Sequence, residues 1–413
     1  LLPTDSENLV ADGWHNAADS KVFDYNNWEP GFSQFRYVLI ENAGSLDFKW
    51  HLTINAEGKV TELAEVIDAE CIIGMSMDET SQDISDFVEY VNGSADTKWG
   101  ARRVADGHPA PYNLKYIQVD NERTITQGYI EMMKKFALAA WKVDPEMNIM
   151  TSLNLHSKRY DKGNYEYDLA LQLVKWFVAQ GKGDKLAWDP HFDGGDLGWA
   201  ATDKFQRQLG LNLKRDLEAD VPGFTLKLHP MEENGWRCDW YRGLAHAHNY
   251  NKIQRHGDSF KMVGTANTFQ PHGLHYMWDQ GRIHFNSHEI WFMPSAYIDE
   301  ELAKHWFTNV VETSSSDEKT LDVTAKMNDA GDSLFVYVAN ISEHDQAAEI
   351  DIENFKYKSR AEVWSIGGCD LTETNTVDNK MNVSPKVKKV SLSGKKAKYT
   401  FPRYSYTIIK LRR

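Results

Sequence analysis

The chain has 413 residues, 41% hydrophobic and 26% charged, and a net charge of -14 from 46 basic against 60 acidic side chains. That length holds two domains, or one large domain with an accessory one, and the acidic balance argues against nucleic acid or an anionic membrane as partner, since both need a basic face. Three scattered cysteines, Cys71, Cys238 and Cys369, exclude a disulfide scaffold and show no metal-ligand spacing, and no apolar run approaches the roughly 18 residues of a membrane span.

Residues 1–70 carry two segments of strand character, Phe35–Glu41 and Phe48–Asn55, and no clear helix. The first residue is Leu1, with neither Met nor a signal pattern, as in a mature or trimmed product. From residue 70 the pattern becomes regular. The expected strands are Cys71–Met77, Leu114–Val119, Met147–Ser152, Leu186–Pro190, Phe224–Leu228 and Phe260–Thr265. The expected helices between them are Ile84–Val91, Thr126–Val143, Tyr165–Gln180, Thr202–Glu218 and Trp240–His256. In the second of these, Ile130, Met133, Ala137, Ala140 and Trp141 share one face. Such alternation is the signature of βαβ repetition and a parallel sheet. No Gly-x-Gly-x-x-Gly follows any strand, which weakens a dinucleotide-binding sheet. Polar clusters at the strand ends favour a closed (β/α)8 TIM barrel, whose chemistry sits at the C-terminal strand ends.

A last helix is expected around Tyr297–Thr313, then a polar linker, Ser314–Lys319. Six β-rich segments follow: Leu321–Lys326, Ser333–Ala339, Gln346–Ile352, Ser359–Ser365, Val387–Leu392 and Tyr404–Leu411. They read as a C-terminal antiparallel β-sandwich, so the expected division is a barrel over 1–313 and a sandwich over 314–413.

Two strand ends carry carboxyls suited to acid–base work. Leu114–Val119 runs into Asp120-Asn121-Glu122, where an amide can bind a sugar hydroxyl beside a proton donor. Three βα units later, Phe224–Leu228 runs into His229-Pro-Met-Glu232-Glu233-Asn-Gly-Trp236. Strands three apart in an eight-stranded barrel face each other across its mouth. Inward side chains there can approach to about 5 Å, the separation of a retaining glycosidase. In that chemistry Glu122 protonates the leaving oxygen, Glu232 forms a glycosyl-enzyme ester, and Glu122 then activates water. For an isolated Glu, a solvated loop carboxylate is the ordinary reading, and Glu233 is as close to the strand end as Glu232.

Other strand ends add candidates. His191, in Trp188-Asp-Pro-His-Phe-Asp193, can orient a carboxyl or touch sugar, although a lone His is as often structural. Asn154, His156, Gln270, His272 and Trp278 can line the mouth, and Trp236 can stack on a sugar ring. Arg102 and Arg103 read as surface residues. His246-x-His248 splays its rings apart on a helix and no His-Glu-x-x-His occurs, so no metal site is expected. No Gly-x-Ser-x-Gly elbow supports a serine hydrolase.

At these motifs the chain resembles glycoside hydrolase family 51, the α-L-arabinofuranosidase family, which also contains endoglucanases. The resemblance rests on Phe87–Gly100, Gly107–Ile117 leading into Asn121-Glu122, Met277–Ser287 and Tyr399–Ile409. It implies a (β/α)8 barrel with a β-sandwich, retention of configuration and no cofactor. It also implies Glu122 as acid/base, Asn121 as a sugar ligand and Glu232 as nucleophile, with Glu233 one residue away as the alternative. Asp120 stands where the family usually has Gly, Phe192 where it tends to have Tyr, and the family's Arg-Tyr-Pro-Gly-Gly motif is absent. The expected substrate is a plant cell-wall polysaccharide or an oligosaccharide from one. α-L-Arabinofuranoside is the first choice, endo-β-1,4-glucanase activity the second, and a non-catalytic carbohydrate-binding protein on a barrel scaffold the third. An endo-acting enzyme on such a polymer would work outside the cytoplasm. The sequence leaves oligomeric state open.

Overall fold

The computed structural model describes residues 70–413 apart from 154, 156, 194–196, 198–204, 267, 274–278, 306 and 393–395. The strands expected at Phe35–Glu41 and Phe48–Asn55 lie outside the described residues, as do Asn154, His156 and Trp278. Residues 285–290 belong to one compact unit, in which the backbone N–H groups of His288 and Glu289 donate to Asn286 Oδ1. A second unit, residues 60–284 with 291–413, holds the elements below except for the end residues Phe285 and Ile290 of two short strands.

Its first half alternates strand and helix: β1 Ile72–Met75, α1 Ser81–Asn92, α2 Lys98–Ala105, β2 Tyr116–Arg123, α3 Gln127–Val143, β3 Asn148–Leu153, α4 Tyr165–Ala179, β4 Leu186–Asp189, β5 Phe192–Asp193, α5 Gln206–Asp220, β6 Lys227–Leu228, β7 Glu233–Asn234 and α6 Trp240–Gln254. Strands β1-β2-β3-β4-β6 form a parallel sheet in that order, and β5 and β7 pair in parallel beyond its end. Helix starts are set by side-chain caps. Thr80 and Asp83 form a capping box at α1, and Thr97, Thr126 and Asp239 accept backbone N–H bonds at α2, α3 and α6. The apolar stripe of α3 buries Ile130, Met133, Ala137 and Ala140 fully against the sheet core, while Trp141 stays half-buried at its margin.

Two strand lines break at proline. Pro190 separates β4 from β5 and Pro230 separates β6 from β7, because proline has no N–H for the ladder. Both breaks place polar side chains at the C-terminal rim of the sheet. The strand expected at Phe260–Thr265 is reduced to two parallel bridges, Leu228↔Phe260 and Glu233↔Thr265, which flank the second break.

After three short strands, β8 Phe269–Pro271, β9 Ile283–Phe285 and β10 Ile290–Phe292, helix α7 runs Pro294–Lys304 with proline at its first turn. It ends well before Thr313, and Asn309–Val311 is instead β11, an edge strand of the antiparallel sheet. That sheet has the order β11-β12-β13-β18-β15-β16, with β12 Leu321–Met327, β13 Ser333–Asn340, β15 Arg360–Gly367, β16 Lys386–Ser391 and β18 Ser405–Arg412. A separate pair, β14 Gln346–Asp351 and β17 Lys396–Phe401, covers one face. Strand β13 is buried along its whole length because its two faces serve different cores. Leu334, Val336 and Val338 meet Ala397, Tyr399 and Phe401 of β17. Phe335 and Tyr337 meet Trp240 and Leu244 of α6 and Ile298 of α7. Period two in the strand thus bonds the antiparallel sheet to the helices of the α/β half.

Helix α2, the short strands β5 and β7 to β11, and strand β17 were missing from the expected elements. Arg103, expected at the surface, is fully buried on α2. Its guanidinium donates to the carbonyls of Tyr90, Gly93 and His108, closing the loop after α1. Among the described residues no helix is long and apolar enough to cross a membrane.

Candidate active site

Strand β2 pairs with β3 up to Val119↔Thr151 and resumes at Arg123↔Leu153, so three residues, 120–122, bulge opposite the single Ser152. Two of the three take left-handed backbone, Asp120 at φ 59° and Glu122 at φ 51°. Asp is among the few residues that tolerate this region, because its short side chain bonds locally. Asp120 Oδ1 accepts from the Asn121 N–H at 2.7 Å, Oδ2 accepts from the Met77 N–H at 3.3 Å, and Arg123 pairs with it at 2.9 Å. Burial raises the Asp120 carboxyl, but the Arg123 and backbone hydrogen bonds outweigh it and hold the group below its ordinary value. The strained Glu122 backbone is held by Ser152, whose Oγ accepts from the Glu122 N–H at 3.0 Å. Tyr129 of α3 closes the bulge from behind, donating to the Val119 carbonyl at 2.9 Å.

The bulge directs Glu122 at His191, in the break between β4 and β5. His191 Nδ1 lies 2.7 Å from Glu122 Oε1 and 3.2 Å from Glu232 Oε2, and Nε2 lies 3.0 Å from Asp189 Oδ2. One carboxylate oxygen each from Glu122 and Glu232 and a ring nitrogen of His191 all fall within 4.8 Å of one another. His191 is 2% exposed. Burial pulls its pKa down, but hydrogen bonds and charge from Asp189, Glu232 and Glu122 push it up to about 9. Protonated His191 donates from both ring nitrogens and sits among three carboxyl groups. Asp189 also accepts the Met231 N–H at 2.8 Å, which ties the histidine to the residue before Glu232. The Glu232 carbonyl accepts from the Phe192 N–H at 2.8 Å, so the backbone of the second break is held by the first.

Glu233 is fully buried on the opposite side of its strand. Arg242 of α6 donates to its Oε1 at 2.9 Å, Arg282 to its Oε2 at 2.6 Å, and His246 lies 2.9 Å away. Burial raises the Glu233 carboxyl, but Arg242 and His246 hold it well below the carboxylate range. Asp299 joins the same cluster through His246 at 2.8 Å and through Arg282. This is a buried ion-pair network.

A profile of the α-L-arabinofuranosidase 1 domain matches residues 33–179, and one of the α-L-arabinofuranosidase C-terminal domain matches residues 230–405. The chain belongs to glycoside hydrolase family 51. α-L-Arabinofuranosidase A of Aspergillus niger is 22% identical over 342 residues, 79% of this chain and 47% of that protein. An extracellular exo-α-L-arabinofuranosidase of Streptomyces chartreusis is 32% identical over 71 residues, 17% of this chain and 9% of its own length. The chain thus spans less than half the length of these curated relatives. Among solved structures, the α-L-arabinofuranosidase of Thermotoga maritima, in an arabinose complex, superimposes with a TM-score of 0.70 at 20% identity, covering 86% of this chain and 78% of that one. The Thermotoga petrophila family 51 α-L-arabinofuranosidase gives 0.69 at 19%, covering 85% and 77%. These likenesses show a shared fold.

Against the family 51 pattern, Asp120 occupies the usual glycine position with the positive φ that a glycine would take, so the exchange preserves the bulge. Glu122, His191 and Glu232 come together. Asn121 is beside them, its Oδ1 accepting from Ser152 Oγ at 3.3 Å. Trp236 stands 61% exposed in the loop after β7. Gln270 is buried with both ends of its amide engaged, by Asp279 and by the Gly281 N–H at 2.7 Å. Three site residues went unnoticed in the sequence: Ser152, Asp189 and Asn234, whose Nδ2 donates to Glu232 Oε2 at 3.3 Å. Each is a polar residue at a strand end or in a strand break, the same signal that marked His191.

Proposed function

We propose that the chain is a retaining glycoside hydrolase acting on plant cell-wall polysaccharide, with α-L-arabinofuranosides as substrate, inside a closed (β/α)8 barrel followed by a β-sandwich from about residue 314. The observation that carries the reading is the pair of carboxyls, Glu122 and Glu232, with oxygens within 4.8 Å and one histidine between them. Retaining enzymes hold their two carboxyls about 5–5.5 Å apart, whereas inverting ones leave room for a water between. Family membership and the names of the relatives supply the sugar.

The residues divide the work as follows. Glu122 donates its proton to the glycosidic oxygen as the bond to the anomeric carbon breaks. Glu232 attacks that carbon, and its lone pair forms the ester bond of a glycosyl-enzyme. Glu122 then takes a proton from water, whose oxygen attacks the anomeric carbon and releases Glu232. His191, 2.7 Å from Glu122 and 3.2 Å from Glu232, holds the two carboxyls in place through both steps. Asn121, adjacent to the acid, is the sugar-hydroxyl ligand, and Trp236 is an apolar platform at the rim.

The test is turnover of an aryl α-L-arabinofuranoside, compared with a soluble cellulose derivative, by wild type and Glu122→Ala. Wild type cleaves the arabinofuranoside, and the variant loses about 10²–10⁴-fold on substrates that need acid assistance. Azide restores turnover of an activated aryl substrate and yields a glycosyl azide of retained configuration. Cleavage of the cellulose derivative alone would move the substrate to a β-1,4-glucan, and an inverted product would rule out the ester.

A further inference from the structure

Outside the carboxyl pair, a second group of ligand-type side chains converges where the loop after β7 meets the turn before β9. Cys238, Asp279 and His284 bring a sulfur, a carboxylate oxygen and a ring nitrogen within 4.8 Å of one another. The surroundings of Cys238 Sγ are unusual. It faces the carbonyls of Asp279 and Gly281, each at 3.4 Å, and Asp279 Oδ1 at 3.9 Å. A thiol has one proton, so it can donate to only one of these oxygens at a time; Asp279 Oδ1 also accepts from Gln270 Nε2. His284 is 8% exposed, and its Nε2 is buried without a hydrogen-bond partner. Its ring donates to the Gly281 carbonyl, and a proton held there leaves Nε2 with a free lone pair. A backbone carbonyl in that role is the usual outer partner of a metal-bound histidine.

We propose that Cys238, Asp279 and His284 form a binding site for a divalent metal ion of the zinc class, distinct from the carboxyl pair. The donor set is sulfur, oxygen and nitrogen, which suits a borderline ion and not calcium or magnesium. Ligand distances of about 2.0–2.3 Å require only a modest contraction of the group. Binding displaces the thiol proton to solvent, and the sulfur electron pair forms the metal bond. The ion clamps two loops together, and its effect reaches the carboxyl pair through neighbours. Gln280, next to Asp279, accepts the Gly235 N–H at 2.7 Å and donates to Asn234 Oδ1 at 3.1 Å. Asn234 in turn donates to Glu232. The role is therefore one of holding the loop that carries Trp236, with no part in bond cleavage.

The experiment strips the full chain with a chelator and titrates it with Co²⁺ as spectroscopic probe and with Zn²⁺ as competitor. One equivalent of Co²⁺ should bind and give a thiolate-to-cobalt charge-transfer band, Zn²⁺ should abolish the band, and both ions should raise Tm. Cys238→Ser, nearly isosteric, should lose the band and the Tm rise. His284→Ala should weaken binding at least tenfold, while Glu122→Gln should bind as wild type does. Absence of binding, binding without a thiolate band, or binding lost in Glu122→Gln and kept in Cys238→Ser would overturn the site; the last would place the ion at Glu122, His191 and Glu232.

Discussion

Glu232 and Glu233 are adjacent in the chain and face opposite sides of it: Glu232 Oε2 lies 3.2 Å from His191, and the Glu233 carboxylate is locked between Arg242 and Arg282. Strand alternation makes the two carboxyls chemically unlike. Their alanine variants should separate accordingly. Glu232→Ala should fold normally and lose almost all turnover. Glu233→Ala leaves the buried Arg242 guanidinium without its counter-charge and Arg282 with Asp299 alone, a loss of about 3–5 kcal/mol. Urea unfolding of both variants, read beside kcat, checks this. Equal stability of the two proteins would mean that Glu233 is not an ion-pair anchor, and a stable but inactive Glu233 variant would make it the nucleophile.

That separation also shows what the sequence could and could not reveal. The βαβ repeat and the β-rich C-terminal half were legible because hydrophobic patterning is local: the α3 stripe and the β-branched and aromatic run of β18 need no partner to be seen. The same patterning put Glu122 and the Glu232–Glu233 pair at strand ends. It could not choose between the pair, because Pro230 interrupts the strand and the inward side depends on how β7 resumes. Ser152 and Asp189 escaped for a related reason. Their importance comes from what they face across a bulge and a proline break, and neither feature has a local signature. Arg103 was misread because an arginine on a short helix looks solvated until the carbonyls it satisfies are in place. Strand β17 was within reach, since Ala397, Tyr399 and Phe401 alternate with exposed residues.

His191 gives the site a pH signature. Its folded pKa of about 9 lies above the ordinary 6.5, so the folded state binds the proton more tightly than the unfolded chain. The resulting stabilisation is complete below about pH 6.5 and is lost as the pH rises through 9. Two to three units correspond to roughly 3 kcal/mol. Unfolding free energies at pH 6 and pH 9.5 should fall for wild type and change much less in His191→Gln. A wild-type slope that survives the substitution would assign the titration to another group.

Asp120 tests the backbone of the bulge. At φ 59° a side chain without local hydrogen bonds is strained by about 1 kcal/mol or more. Asp120→Gly removes the strain along with the bonds to Met77 and Arg123, so its stability should stay within about 1 kcal/mol of wild type. Asp120→Val keeps the strain, adds β-branching and loses the bonds, and should be the worst of the series. Glu122 shares the bulge, so kcat should follow the same order. Thermal melts and kcat for the three proteins decide this, and a valine variant as active and stable as the glycine one would show that the left-handed turn does not matter.

Trp236 separates substrate holding from chemistry. Its loop leaves β7 through Gly235, where a Cβ would come within 1.9 Å of Arg242 Nε. Only glycine lets the chain pass this close to the guanidinium that anchors Glu233. The loop is then fixed by Gln280 and Cys238, and the indole stands in solvent. An indole this exposed contributes little to folding, so Trp236→Ala should melt with wild type. Stacking a sugar ring on it would bury apolar area worth about 1–2 kcal/mol, or about tenfold in affinity. That loss should fall on KM for arabino-oligosaccharides long enough to reach the rim, with kcat unchanged and small aryl arabinofuranosides unaffected. An equal loss on both substrates would place Trp236 at the cleaved sugar, and no loss on either would remove it from the binding surface.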